Sequence, residues 1–350
     1  MKRRDLLRAF ALAPLLAPGL APAWAAAERR GGLVSTFGKP PATVARVFAA
    51  GPPAAVLAYV LAPAKLLGWP MAMSPPARAL LAPAQRGLPQ LGRLSGRGST
   101  VSTETLLTLR PDLILDAGTV NATYLSAAER VWQQTGLPYV LVDGRLAEHP
   151  AQLREGGRLL GVPERGERLA RHAEQVVALA QALLAAVPPQ ARPKVYYGRG
   201  PDGLETGLQG SINTEVIEFA GGRNVAAQAG KGGLTRVSME QLLSWNPDVV
   251  LTQDPAFAAR VADDPLWRSI AAVRNRRVHL APSLPFGWLD GPPGVNRLIG
   301  VPWLLSKLYP GHHPALAPAR VNAAAIEFHR LFYAGTLTPA GLEKLLAGTA

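Results

Sequence analysis

Val101-Ser-Thr-Glu-Thr-Leu-Leu-Thr-Leu-Arg-Pro-Asp-Leu-Ile-Leu115 recurs without a gap as Val237-Ser-Met-Glu-Gln-Leu-Leu-Ser-Trp-Asn-Pro-Asp-Val-Val-Leu251. Val, Ser, Glu, Leu, Leu, Pro, Asp and Leu coincide, 8 of 15 positions at an offset of 136 residues. Each copy reads the same way. Ser102 or Ser238 caps a short helix carrying Glu104 or Glu240, and the pair Leu106-Leu107 or Leu242-Leu243 faces the core. Pro111 or Pro247 ends that helix, and the apolar run after Asp112 or Asp248 is a buried strand. The chain is thus read as two similar α/β lobes.

Outward from the repeat, Ala45–Ala50 and Lys194–Tyr197 read as the first strand of each lobe, followed by a Gly/Pro-rich loop and a helix. Strands alternating with helices imply mainly parallel sheets. Between the lobes, Glu164 to Val187 carries Leu169, Ala173, Val176, Val177, Ala180, Leu183, Leu184 and Val187 at helical spacing. Such a helix spans about 36 Å at ~1.5 Å per residue, enough to bridge two lobes. At the N-terminus, Lys2, Arg3 and Arg4 precede an apolar stretch and an Ala23-Trp24-Ala25 cleavage site, the pattern of a secretory signal peptide. Arg3-Arg4-Asp5-Leu6-Leu7 further resembles a twin-arginine signal. The organisation expected is a signal peptide over 1–25, cut near 25–27, a first lobe over 28–162, a bridging helix over 163–188, and a second lobe over 189–350.

Composition narrows the function. The chain of 350 residues is 48% hydrophobic and 17% charged, enough to bury a large core. It has no cysteine, which removes thiol nucleophiles, disulfides, iron–sulfur clusters and the acylated cysteine of a lipoprotein. The net charge of +13 comes mostly from scattered arginines, without the basic tracts and interleaved aromatics of nucleic-acid binding. Gly198-Arg-Gly-Pro-Asp-Gly203 satisfies G-x-G-x-x-G formally, but Pro201 and the Gly-rich run after it leave no helix N-terminus for a pyrophosphate. Neither H-x-H nor H-x-x-x-H occurs among the six histidines, and no G-x-S-x-G or Walker A sequence is found. No catalysis, no cofactor and no resident metal are expected.

An exported, two-lobed α/β chain joined by one long helix resembles the class III periplasmic binding proteins, which serve ABC importers of iron–siderophore complexes, haem, cobalamin, and some metals and oxyanions. Gly207-Leu-Gln-Gly-Ser-Ile-Asn-Thr-Glu-Val-Ile-Glu-Phe-Ala-Gly-Gly-Arg-Asn224 looks like the second-lobe helix of that family and the turn after it. Phe286-Gly-Trp-Leu-Asp-Gly-Pro-Pro-Gly-Val-Asn-Arg-Leu298 looks like a branch for iron complexes that has molybdate/tungstate and nickel binders among its relatives. The resemblance implies a monomeric periplasmic receptor without a membrane anchor, an ABC permease and ATPase as partners, and Glu104 and Glu240 docking on permease arginines.

Ligands of α/β folds bind where loops leave the carboxyl ends of strands. The candidates there are Tyr59, Arg97, Gly98, Ser99, Asn121 and Tyr124 in the first lobe, and Tyr197, Arg199, Trp288 and Arg297 in the second. Arginine suits carboxylate, catecholate or oxyanion groups, and Tyr and Trp offer flat walls for a chelate or macrocycle. An iron(III) complex of the siderophore type is the first expectation. A molybdate/tungstate oxyanion is the alternative, ahead of a nickel chelate, haem or cobalamin. A periplasmic enzyme on the same lobes is the reading outside transport.

Overall fold

A computed structural model describes residues 32–96 and 98–349; the expected signal peptide and Arg97 lie outside them. The first lobe holds β1 (Val34–Phe37), β2 (Val47–Ala49), β3 (Leu113–Gly118) and β4 (Tyr139–Asp143), ordered β1-β4-β3-β2. All neighbours are parallel except the edge strand β1, which runs antiparallel to β4. The second lobe holds β5 (Lys194–Gly198), β6 (Glu205–Gly207), β7 (Arg223–Asn224), β8 (Leu234–Arg236), β9 (Val249–Thr252) and β10 (Val278–Leu280). Its parallel sheet is ordered β10-β9-β5-β7, with β6 and β8 as a separate antiparallel pair. β1 is absent from the sequence reading. It is short and half-buried, and its partner β4 lies far along the chain, so no local signal marks it.

The repeat corresponds to one structural unit made twice. Ser102 and Ser238 cap the helices Thr103–Leu109 and Met239–Trp245, accepting from the backbone N–H of Thr105 and Gln241. Both helices end on a left-handed residue, Arg110 or Asn246. The shared aspartates hold the start of the neighbouring strand: Asp112 Oδ2 accepts from Ala45 N and Arg46 N, and Asp248 Oδ2 from Lys194 N, all at 2.8 Å. Strand alternation then divides the side chains. Leu113 and Leu115, like Val249 and Leu251, join a core shared by both lobes, whereas Ile114 and Val250 pack in each lobe's own outer cluster. One expectation is corrected. Only the first leucine of each pair, Leu106 or Leu242, is buried; Leu107 and Leu243 are exposed, because the following helical position turns about 100° away from the core.

The helix Pro163–Ala185 lies in sequence between the two sheets and buries Leu169, Ala173, Val176, Ala180 and Leu183. A Cβ on Gly157 would stand 2.8 Å from the Cα of Gly166, so the helix His149–Leu159 crosses it backbone to backbone. The chain's last third returns to the first lobe: Arg165 on the bridging helix donates to Val60 O (2.6 Å) and to Leu331 O (3.3 Å).

Candidate functional site

The strand ends of the two lobes meet across a polar floor. Arg297, at the start of the helix Arg297–Leu308, donates to Gly144 O of the first lobe at 2.7 Å. It also donates to Ile212 O at 3.0 Å and pairs with Glu215 at 2.9 Å, both in the second lobe. Glu215 in turn accepts from the N–H of Leu146, just beyond β4, at 3.0 Å. Beside them His149 shares a hydrogen bond with Gly294 O (3.1 Å) and another with Gln152 (3.0 Å). Burial and the nearby Arg297 hold its imidazole well below the usual histidine range, so it stays neutral.

On the first-lobe side, Asp116 in the second half of β3 is buried and accepts hydrogen bonds on both carboxylate oxygens. Ser95 Oγ donates to it at 2.9 Å and Tyr139 OH at 2.7 Å. Burial raises its carboxyl above the ordinary value, while those two bonds pull it back. Leu94 N and Ser95 N donate to Ala50 O, which fixes the root of the loop after them. Gly96 and Gly98 adopt φ of +91° and +90°, where a side chain would be strained, and both have open space around them.

On the second-lobe side, Arg199 follows β5 directly. Its guanidinium is partly exposed and pinned between two carboxylates, with Nε 3.0 Å from Asp290 Oδ2 and Nη1 3.3 Å from Glu205. The Asp290 contact is an ion pair without an aligned hydrogen bond. Asp290 is itself held by Asn213 Nδ2 at 2.9 Å and by its own N–H to Gln253 Oε1 at 2.8 Å. Tyr197 OH donates to the same Gln253 oxygen at 2.7 Å, and burial beside Asp290 raises its phenol well above the usual value.

The expected site residues therefore divide. Asn121, Gly98 and Ser99 are exposed, and Arg199 and Tyr124 reach the surface only in part. Asn121 spends its carbonyl capping the helix Ala122–Thr135, and Ser99 Oγ donates within its own loop to Val101 O. Arg297, at 0% exposure, is a joint between the lobes and not a free donor. Tyr59 and Trp288, at 1% each, are core residues. Tyr59 sits among Trp69, Phe286 and Tyr333, with ring centroids 5.6–6.1 Å away, and donates to Tyr333 O. The backbone of Trp288 lies against Gly300, where a Cβ would meet its carbonyl at 1.8 Å. Tyr197 is buried beneath the surface. An aromatic residue next to a loop signals either wall or core, and the sequence alone does not separate them.

Asp290, Glu205, Glu215, Asp116 and His149 were missed as site residues. Both Asp290 and Glu215 lie inside the motifs quoted above, and Asp290 is the one acid of its stretch, the signal that could have found it. No three His, Cys, Asp or Glu among the described residues converge in a way that could hold a metal ion. A cavity of about 450 Å³ is lined by residues of the bridging helix and of the last third of the chain, Val176, Ile299 and Phe328 among them, with His172, Gln175 and Arg320 as its polar members.

A family model described as periplasmic binding protein matches residues 82–284. The molybdate-binding protein MolA of Haemophilus influenzae is 28% identical over 250 residues, 63% of this chain and 68% of that protein. An ABC transporter solute-binding protein from Sulfurospirillum deleyianum has 28% identity and a TM-score of 0.80, covering 88% of this chain and 95% of that one. A nickel-bound CeuE of Helicobacter pylori, at 15% identity and a TM-score of 0.68 over 87% of this chain and 95% of that one, shares the fold.

Proposed function

Because the chain belongs to the periplasmic binding proteins, receptors that deliver a ligand to an ABC permease and its ATPase, we propose that its ligand is a small oxyanion of the molybdate kind. The observation that carries this reading is the placement of the aromatics. Of the four expected to wall a bulky chelate, Tyr59, Tyr197 and Trp288 are buried and only Tyr124 keeps partial exposure. The second lobe is left with Arg199, held in one orientation by Asp290 and Glu205, and the first with a Gly/Ser-rich loop. This suits an ion recognised by a guanidinium and backbone N–H groups more than a macrocycle needing flat apolar walls. The sequence places an iron(III) complex first; the burial of Tyr59 and Trp288 supports placing the oxyanion ahead of it. The MolA resemblance points the same way.

Asp290 and Glu205 together outweigh the single charge of Arg199, so a dianion needs further positive charge. In this reading Arg97, between Gly96 and Gly98, supplies it from the first lobe. The receptor performs no chemistry: it closes on the ion and presents it to the permease. Glu104 and Glu240, both exposed on the first turn of repeat-related helices, are the docking carboxylates. Export by the N-terminal signal, as a single soluble chain, completes the proposal.

The test is calorimetric titration of the mature protein with molybdate, tungstate, nickel–histidine, haem and a ferric siderophore. Molybdate or tungstate binding far tighter than any chelate supports the reading. A ferric complex that binds while molybdate does not overturns it.

A further inference from the structure

Among the described residues four large apolar side chains stand exposed: Met71, Leu107, Leu243 and Leu266. Two of the four, Leu107 and Leu243, occupy the same position in the two copies of the repeat, at 47% and 37% exposure. Each lies three residues after an exposed glutamate, Glu104 or Glu240, on helices of equal length, the same serine cap and the same left-handed ending. Residues i and i+3 of a helix are neighbours on its surface. Each lobe thus presents one carboxylate beside one leucine. Packing gives no reason for that leucine, since Leu106 and Leu242 make the inward contact. A single exposed leucine needs no explanation, but the same one in both copies does.

We propose that Leu107 and Leu243 are a matched pair of apolar contacts for the membrane permease, each seated beside the ion pair of the neighbouring glutamate. The proposal rests on the docking reading of Glu104 and Glu240 and adds the surface the partner must present: an apolar shelf next to a basic group, twice. A partner with two like halves fits a receptor whose docking element is made twice. The leucine has a physical task there. An ion pair left in water contributes little, and an apolar contact around it excludes water and strengthens the attraction.

The experiment measures binding of the mature protein to its permease–ATPase complex held in lipid nanodiscs. Wild type is compared with Leu107→Ser/Leu243→Ser, with Leu266→Ser as a control outside the repeat, and with Glu104→Arg/Glu240→Arg. Removing both leucines is expected to weaken permease binding about tenfold or more, with thermal unfolding unchanged and Leu266→Ser equal to wild type. Wild-type permease binding by the double leucine variant, alongside loss of binding by the double glutamate variant, overturns the proposal and leaves the docking reading standing. Unchanged binding by the glutamate variant overturns the docking reading itself. A leucine variant that binds weakly only because its unfolding temperature has fallen also overturns the proposal.

Discussion

Arg297 in the second lobe donates to the carbonyl of Gly144 in the first at 2.7 Å, with no part of its side chain exposed. The residues are 153 apart in sequence, and the bond ties the end of β4 to the helix that begins at Arg297. A charge so deeply placed is tolerated because Glu215 neutralises it and three carbonyls accept its remaining N–H groups.

Arg297→Met keeps the volume and removes the donors. Glu215 and the carbonyls of Gly144 and Ile212 then lose their partner, and urea unfolding should show a loss of about 3 kcal/mol. Wild-type stability together with lost molybdate binding would instead make Arg297 a ligand contact.

Arg199→Ala should weaken molybdate binding about 10- to 150-fold, the worth of one charge-assisted contact to a partly desolvated anion. Arg199→Lys should recover little, because an ammonium lacks the planar fork that Asp290 and Glu205 hold from two sides. Calorimetric titration decides, and affinity of the alanine variant within twofold of wild type removes Arg199 from the site.

Trp288→Phe should leave molybdate affinity within about twofold while costing roughly 1–3 kcal/mol of stability, as core truncations do. The reverse pattern, a large loss of affinity with unchanged unfolding, would return the indole to the cleft.

Reversing both docking charges, Glu104→Arg with Glu240→Arg, should abolish uptake in cells. Ligand affinity should stay within about twofold, because like charges then face the permease and not the ligand. Normal uptake by that variant would refute the assignment.

Acid should destabilise the fold in a definite window. His329 and His279 are held down to about 4 by burial, and His149 lies well below its ordinary value for the same reason. Below pH ~6.5 the unfolded chain takes up protons that these folded imidazoles refuse. Their contribution is complete above about 6.5 and is lost as pH falls towards 4. For His329 the linkage amounts to about 3 kcal/mol by pH 4. Asp116 runs the other way, because its raised carboxyl favours the folded state as pH drops. Unfolding temperature should decline from pH 7 to pH 4.5, and His329→Gln should flatten that slope. A level profile in the wild type would contradict these burial effects.

What the residues determined by themselves was everything with a local cause. The serine caps, the prolines that end the repeat helices, the apolar runs of β3 and β9 and the 3.6-residue spacing of the bridging helix are each set by neighbours a few positions away. Repeating them at an offset of 136 residues made two lobes readable from sequence. The fate of the site side chains depended on tertiary contact. Tyr59 is a core residue because Tyr333, 274 residues later, takes its hydroxyl. Arg297 is a joint because Gly144 and Glu215 converge on it, while Arg199, with a similar Gly-rich setting, stays at the surface because Asp290 and Glu205 hold it from the side. An arginine or an aromatic carries the same local signal in either setting. Only the folded chain, bringing partners from distant segments, decides whether it is spent inside or left for a ligand.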